Sequence, residues 1–214
     1  MRHLPNILTL SRIPSLFVIV GLLCIQARWT DSAAFVIFLL AAFSDWLDGY
    51  IARKVGAVSN FGKLMDALTD KIIMVGLFVA LLGLRWKLPN IDGSAPGNME
   101  TLLPQFCIFL VMIIICREFL ITGLRLVAAS NGLVLAAERA GKIKTALQMV
   151  SVSLLLLALA LAHDWLDVVP AGVIAWIRSL GLWAFYGAVA LTIYSGTGYL
   201  VRNWKIFIGD ATKQ

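Results

Sequence analysis

The sequence predicts an all-α, polytopic membrane protein with six transmembrane helices and both termini on the cytoplasmic side. Three observations carry this. Of the 214 residues, 60% are hydrophobic and 14% charged, and the mean hydropathy is +0.89, values that exclude an ordinary soluble domain. Apolar runs long enough to cross about 30 Å of hydrocarbon recur near residues 7–27, 33–53, 65–85, 103–125, 143–163 and 180–202. All but Arg28, Arg85, Lys87 and Arg178 of the 18 Lys and Arg fall at or near the side that holds the termini, which the positive-inside rule assigns to the cytoplasm. The formal net charge of +6 suits an anionic leaflet and anionic substrates, and no nucleic-acid partner is expected.

The first run starts close to Met1, contains Thr9, Ser11 and Arg12 and has no small-residue cleavage site, so a retained helix is expected rather than a removable signal peptide. The second and third runs meet at a charged junction, Asp45 to Asp70. Between the third and fourth, Lys87 to Thr101 carries Pro-Asn, Asp-Gly and Pro-Gly turn signals and is expected to form an external loop. Between the fifth and sixth, Asp164 to Ile177 includes Trp165, Leu166, Val168 and Trp176 and is expected to lie along the interface. No linker divides the chain, and residues 1–214 read as a single domain. Cys24, Cys107 and Cys116 fall inside spans and are expected to be core thiols without a disulfide. His3 and His163 stand isolated at helix ends. Trp29, Trp86, Trp165, Trp176 and Trp204 fit an aromatic belt.

Chemistry concentrates at the Asp45–Asp70 junction, which reads D-W-L-D-G-Y-I-A-R, eight residues, then G-K-L-M-D-A-L-T-D. A carboxylate inside a bilayer helix costs about 2.5–3.5 kcal/mol on insertion scales, so four of them require a partner, and divalent metal is the simplest. Asp45, Asp48 and Ala52 are spaced i, i+3, i+7, and Gly62, Asp66 and Asp70 are spaced i, i+4, i+8, so each set forms one helical stripe. Hard carboxylate oxygens suit Mg²⁺ or Mn²⁺. Two such ions about 3.5–4 Å apart suit phosphoryl transfer, with a pyrophosphate substrate supplying further ligands. Gly49, Ala52 and Gly62 leave clearance for a nucleotide.

A second cluster is basic. Arg117 follows a dozen or so apolar residues and needs an anionic partner, and Glu118 and Arg125 share its helix seven residues apart. Gly141, Thr145 and Gln148 form another stripe, with Lys142 and Lys144 beside it. Convergent Arg and Lys are what an acceptor bearing a phosphate requires. Ion pairing of Glu118 with Arg117 or Arg125, and snorkelling lysines, remain open as a purely structural reading.

The string D-x-x-D-G-x-x-A-R-x8-G-x-x-x-D-x-x-x-D resembles the signature of the CDP-alcohol phosphotransferase family at every fixed position. The resemblance implies an integral membrane enzyme, homodimeric, that moves a phosphatidyl or similar group from a CDP-linked donor to an alcohol and releases CMP. Carried over by position, it implies Asp45, Asp48, Asp66 and Asp70 as ligands of two Mg²⁺ or Mn²⁺ ions, with Asp70 also the catalytic base. Gly49, Ala52, Arg53 and Gly62 then contact CDP. The opening L-P-N-I-L-T-L-S-R from Leu4 to Arg12, R-E-F-L-I-T-G-L-R from Arg117 to Arg125 and G-K-I-K-T-A-L-Q-M from Gly141 to Met149 resemble the bacterial members that use glycerol-3-phosphate. This places Asn6 and Thr9 with CDP and Arg12, Arg117, Arg125, Lys142 and Lys144 with the acceptor phosphate. The expected reaction joins CDP-diacylglycerol and glycerol-3-phosphate to give phosphatidylglycerophosphate and CMP, at the cytoplasmic face of a bacterial plasma membrane among its lipids. Cardiolipin or phosphatidylinositol phosphate synthesis is the alternative within the family. A divalent-cation transporter is the alternative outside it, disfavoured because the carboxylates crowd at one face rather than along a path.

Overall fold

The computed structural model describes residues 4–25, 27–55, 60–83, 98–130 and 139–209, and side chains at 12–25, 27–44, 68–69, 71–83, 107–128 and 141–202. The described residues form six helices and no strand: α1 (Leu4–Cys24), α2 (Thr30–Val55), α3 (Asn60–Gly83), α4 (Asn98–Ser130), α5 (Arg139–Asp164) and α6 (Ala171–Gly209). Each predicted apolar run falls on one of them. By length and composition Cys107–Ala128, Gly141–Asp164 and Ala171–Arg202 can each cross a membrane, while Arg12–Cys24, Thr30–Ser44 and Lys71–Gly83 are shorter apolar stretches among the described residues.

Two boundaries differ from the sequence reading. Residues 87–97 of the expected external loop lie outside the described residues, and α4 already begins at Asn98. The expected interfacial segment is shorter than Asp164 to Ile177, because α6 starts at Ala171 and takes Trp176 into its second turn. Pro170 sets this start. Its φ is already helical and its carbonyl accepts the amide of Val173 at 2.9 Å, so the chain enters the helix as soon as the turn at Trp165 closes. Inside α1, Pro14 contributes no amide to the backbone ladder, and Ser15 Oγ donates to the Arg12 carbonyl at 2.6 Å.

α5 packs against α2, α3 and α6, α1 against α2 and α3, and α4 against α3 and α6. Ile19 and Leu23 of α1, Phe38 of α2, Leu77 and Phe78 of α3, Ile114 of α4, Leu156 of α5 and Phe185 of α6 share one core, with the rings of Phe78 and Phe185 5.3 Å apart. Lipid is as apolar as this core, so close fit rather than exclusion of water holds such helices together. Small residues allow it. A Cβ on Gly76 would stand 2.7 Å from Leu16 Cδ2, and one on Gly181 would stand 3.1 Å from Leu155; the Gly181 carbonyl accepts the buried Ser151 hydroxyl at 2.9 Å. Large side chains such as Phe109, Met112, Trp183 and Tyr194 point outward, as a lipid-facing surface requires. All three cysteines are free, but Cys24 and Cys116 are exposed, correcting their expected place in the core: each falls on the outward side of its helix.

At one end of the bundle α5 caps α2. Trp29 turns the chain with a φ of 72°, and its amide donates to Asp164 Oδ1 at 2.9 Å. Ser32 donates to Asp164 Oδ2 through its amide at 2.8 Å and its hydroxyl at 2.6 Å. A carboxylate from another helix thus does the work of an N-cap, where the helix dipole favours negative charge. The edge of Trp165 meets Trp29 with centroids 4.9 Å apart, and His163 Nδ1 lies 2.9 Å from Oδ2 of buried Asp31. His163, isolated in the sequence, has its partner across this joint.

Candidate functional site

A cavity of about 740 Å³ opens where α1, α2, α3, α4 and α5 converge. It is lined by all five residues assigned from sequence to an acceptor phosphate: Arg12 of α1, Arg117 and Arg125 of α4, and Lys142 and Lys144 of α5. These come from three helices and span more than a hundred residues of chain. Lys71, Ser15, Thr145 and Gln148 complete the polar lining, while Ile19, Phe38, Ile73, Met74 and Ile114 form an apolar wall.

Glu118 organises the α4–α5 side. Its Oε1 accepts from Lys144 Nζ and lies 3.3 Å from Arg117 Nη1. The Glu118–Arg117 pairing weighed from sequence is present. Arg125 instead lies over the ring of Tyr199, its guanidinium carbon 5.4 Å from the centroid. Arg12 and Lys144 are buried, at 4% and 2% exposure. Gln148 is buried too, and its Nε2 has no hydrogen-bond partner among the described groups. Among the described lining residues six cationic side chains face a single carboxylate. Two of the six, Arg12 and Lys144, are buried and the rest reach toward solvent, and cations gathered around one cavity suit an anionic ligand. Arginine forks and lysine ammoniums match phosphate oxygens.

The carboxylate motif adjoins this cavity through the backbone. Ala41 and Ala42 of α2 line it, and Asp45 follows Ala41 by one helical turn; Lys71 of α3 lines it and directly follows Asp70. Asp45 and Asp48 lie one turn apart on α2, Asp66 and Asp70 one turn apart on α3, and four residues join the two helices. Gly49, Ala52 and Arg53 belong to the last turns of α2, Gly62 to the first turn of α3, and Asn6 and Thr9 to the first turns of α1. The side chains of these ten positions lie outside the described residues. Among the described residues no three His, Cys, Asp or Glu gather as a metal site. A helix pair carrying two carboxylates on each member is nonetheless a donor set that fits hard divalent ions.

Sequence reasoning passed over Lys71, Ser15 and the α6 residues that touch the two arginines. Lys71 had a signal, being adjacent to Asp70. Ser195, whose Oγ accepts from Arg117 Nη2 at 2.9 Å, had none: a serine 78 positions away acquires meaning only when α6 packs on α4.

Fold and site together define an integral membrane protein, all-helical, with a cavity lined by cationic side chains set beside a paired-carboxylate helix junction. The sequence matches the CDP-alcohol phosphatidyltransferase family over residues 2–194, and the chain belongs to that family. It is 34% identical to the CDP-diacylglycerol–glycerol-3-phosphate 3-phosphatidyltransferase of Bacillus subtilis, covering 96% of this chain and 97% of the relative. The same-named protein of Rickettsia typhi is also 34% identical, over 93% of this chain and 96% of the relative. A chloroplastic/mitochondrial protein of that name from Arabidopsis thaliana is 30% identical over 96% of this chain and 64% of its own length.

Proposed function

We propose that this protein transfers the phosphatidyl group of CDP-diacylglycerol to glycerol-3-phosphate, forming phosphatidylglycerophosphate and CMP. The observation that carries the reading is the convergence of Arg12, Arg117, Arg125, Lys142 and Lys144 on one cavity whose α2 and α3 walls lead within a turn to Asp45 and Asp70. The names of the relatives agree with it.

In this reading the cationic cavity holds the acceptor's phosphate and leaves its hydroxyl toward the carboxylate junction. Asp70 takes the hydroxyl proton. The freed oxygen attacks the β-phosphorus of the donor, the bond from that phosphorus to the oxygen bridging it to the α-phosphorus breaks, and CMP leaves with the electron pair. Arg53 steadies the donor phosphates, with Asn6, Thr9, Gly49, Ala52 and Gly62 around CDP. Two Mg²⁺ or Mn²⁺ ions held by Asp45, Asp48, Asp66 and Asp70 would supply neutralisation of the pyrophosphate charge.

The same reading has all six helices crossing the membrane, the termini and the site in the cytoplasm of a bacterial cell, and two copies forming a homodimer. Charge asymmetry supports the orientation, and the resemblance to the family supports the dimer. Cysteines introduced at Val58 or Lys213 in a cysteine-free background should react with impermeant maleimide only after cells are opened, and one at Ser94 in intact cells. The opposite pattern would overturn the orientation.

The reaction itself is tested with purified protein in detergent, CDP-diacylglycerol and a panel of glycerol-3-phosphate, inositol phosphate, glycerol and serine. CMP release and the lipid product are followed. Glycerol-3-phosphate should be strongly preferred. Preference for serine or glycerol would remove the acceptor assignment, and preference for inositol phosphate would move the enzyme elsewhere in its family.

A further inference from the structure

Arg117 and Arg125 reach the cavity from α4, yet each also contacts a side chain of α6. Arg117 Nη2 donates to Ser195 Oγ at 2.9 Å while Nη1 lies 3.3 Å from Glu118 Oε1, so the guanidinium is gripped from two directions. Ser195 is 2% exposed. Since guanidinium can only donate, the serine hydroxyl must accept here, and its own hydrogen is directed to the Thr192 carbonyl at 3.4 Å. Arg117 Nε has no partner among the described groups.

Gly196 brings the two helices close. A Cβ there would stand 3.0 Å from Arg117 Cγ and 3.4 Å from Nε, so any larger residue would push the stem aside. One turn after Ser195, the buried ring of Tyr199 lies under Arg125 with the guanidinium carbon 5.4 Å from its centroid. A free arginine loses much rotamer freedom when it grips a ligand. One held in place beforehand loses less, and binds more tightly for the same contacts.

We propose that Ser195, Gly196 and Tyr199 form a seat that orients Arg117 and Arg125 and so sets affinity for the phosphorylated acceptor; this rests on the assignment of the cavity to that substrate. The three are positioning residues. None lies in the stretches that carry the family motif, so the seat is a place where acceptor preference can change while the carboxylate chemistry stays constant.

The test is steady-state kinetics on the full-length enzyme with both substrates varied. Ser195→Ala and Tyr199→Leu should each raise KM for glycerol-3-phosphate by about threefold to tenfold, with kcat and the KM for CDP-diacylglycerol within about twofold of wild type. Tyr199→Phe keeps the ring face and should stay near wild type. Gly196→Ala should exceed Ser195→Ala. The decisive measurement is a double-mutant cycle: in an Arg117→Ala background, Ser195→Ala should add nothing further. A full-sized Ser195→Ala effect in that background would make the serine a packing residue and overturn the seat, as would an unchanged acceptor KM in the single variant. Coupling that appears in the KM for CDP-diacylglycerol would keep the seat and overturn the acceptor assignment.

Discussion

The two ends of α5 bury charge in opposite ways. Lys144 and Asp164 are twenty residues apart on this one helix, about 30 Å along its axis. At the Asp164 end, one carboxylate receives two backbone amides and a hydroxyl, and Asp31 meets His163, so donors and acceptors are matched within the protein. At the Lys144 end, six cationic side chains line one cavity, two of them, Arg117 and Lys144, pair with Glu118, and Gln148 Nε2 and Arg117 Nε make no hydrogen bond among the described groups. A matched cluster stabilises a joint. Cations converging from three helices, with open donors on Gln148 and Arg117 among the described groups, form the arrangement an anionic ligand requires, which is why the second end reads as a candidate site.

The largest effect should come where that site meets the carboxylate junction. Asp48→Asn should lower turnover by at least about 10²-fold, and excess chelator should abolish activity, as radiolabelled CMP release would show. Full turnover in chelator would leave the cavity without the partner chemistry proposed for it. Next in size, Asp164→Ala should destabilise the protein by about 2–3 kcal/mol through loss of the cap, lowering the apparent Tm in detergent. Its KM values should stay at wild type. A kinetic phenotype without a stability loss would erase the distinction between the two ends.

Arg125→Ala should raise the KM for glycerol-3-phosphate about tenfold, the loss of one charge-assisted contact made equally in ground and transition states, while the KM for CDP-diacylglycerol barely moves. The smallest effect sharpens the comparison most. Gln148→Met removes a buried amide whose Nε2 has no partner among the described groups, so Tm should hold or rise while acceptor KM rises by about twofold to fivefold. A falling Tm with unchanged KM would make Gln148 part of the scaffold.

Helix number, the carboxylate pairs and the basic residues were legible because each is a local pattern: apolar length, spacing of three or four, and charges too costly to leave in lipid without a function. Even the grouping of Arg12 with Arg117 and Lys144 could be anticipated, from the resemblance to the family members that use a phosphorylated acceptor. The reach of α6 back to Ala171, the outward placement of Cys24 and Cys116, and the pairing of His163 with Asp31 were not, because each depends on which face of a uniformly apolar helix turns inward. α6 shows the limit most clearly: its apolar residues mark no side for contact.

By itself, then, the sequence determined that the chain is helical, lives in a membrane and carries four carboxylates and a set of cations in the pattern of its family. Only the tertiary structure decided that five of those cations line one cavity, that Glu118 bridges two of them, and that Ser195, Gly196 and Tyr199 lie against two arginines from a helix without a motif. The reason is physical. Spacing along one helix fixes which residues share its face, whereas the approach of two helices depends on how their surfaces interlock, and a glycine's missing side chain matters only against the neighbour that fills the space.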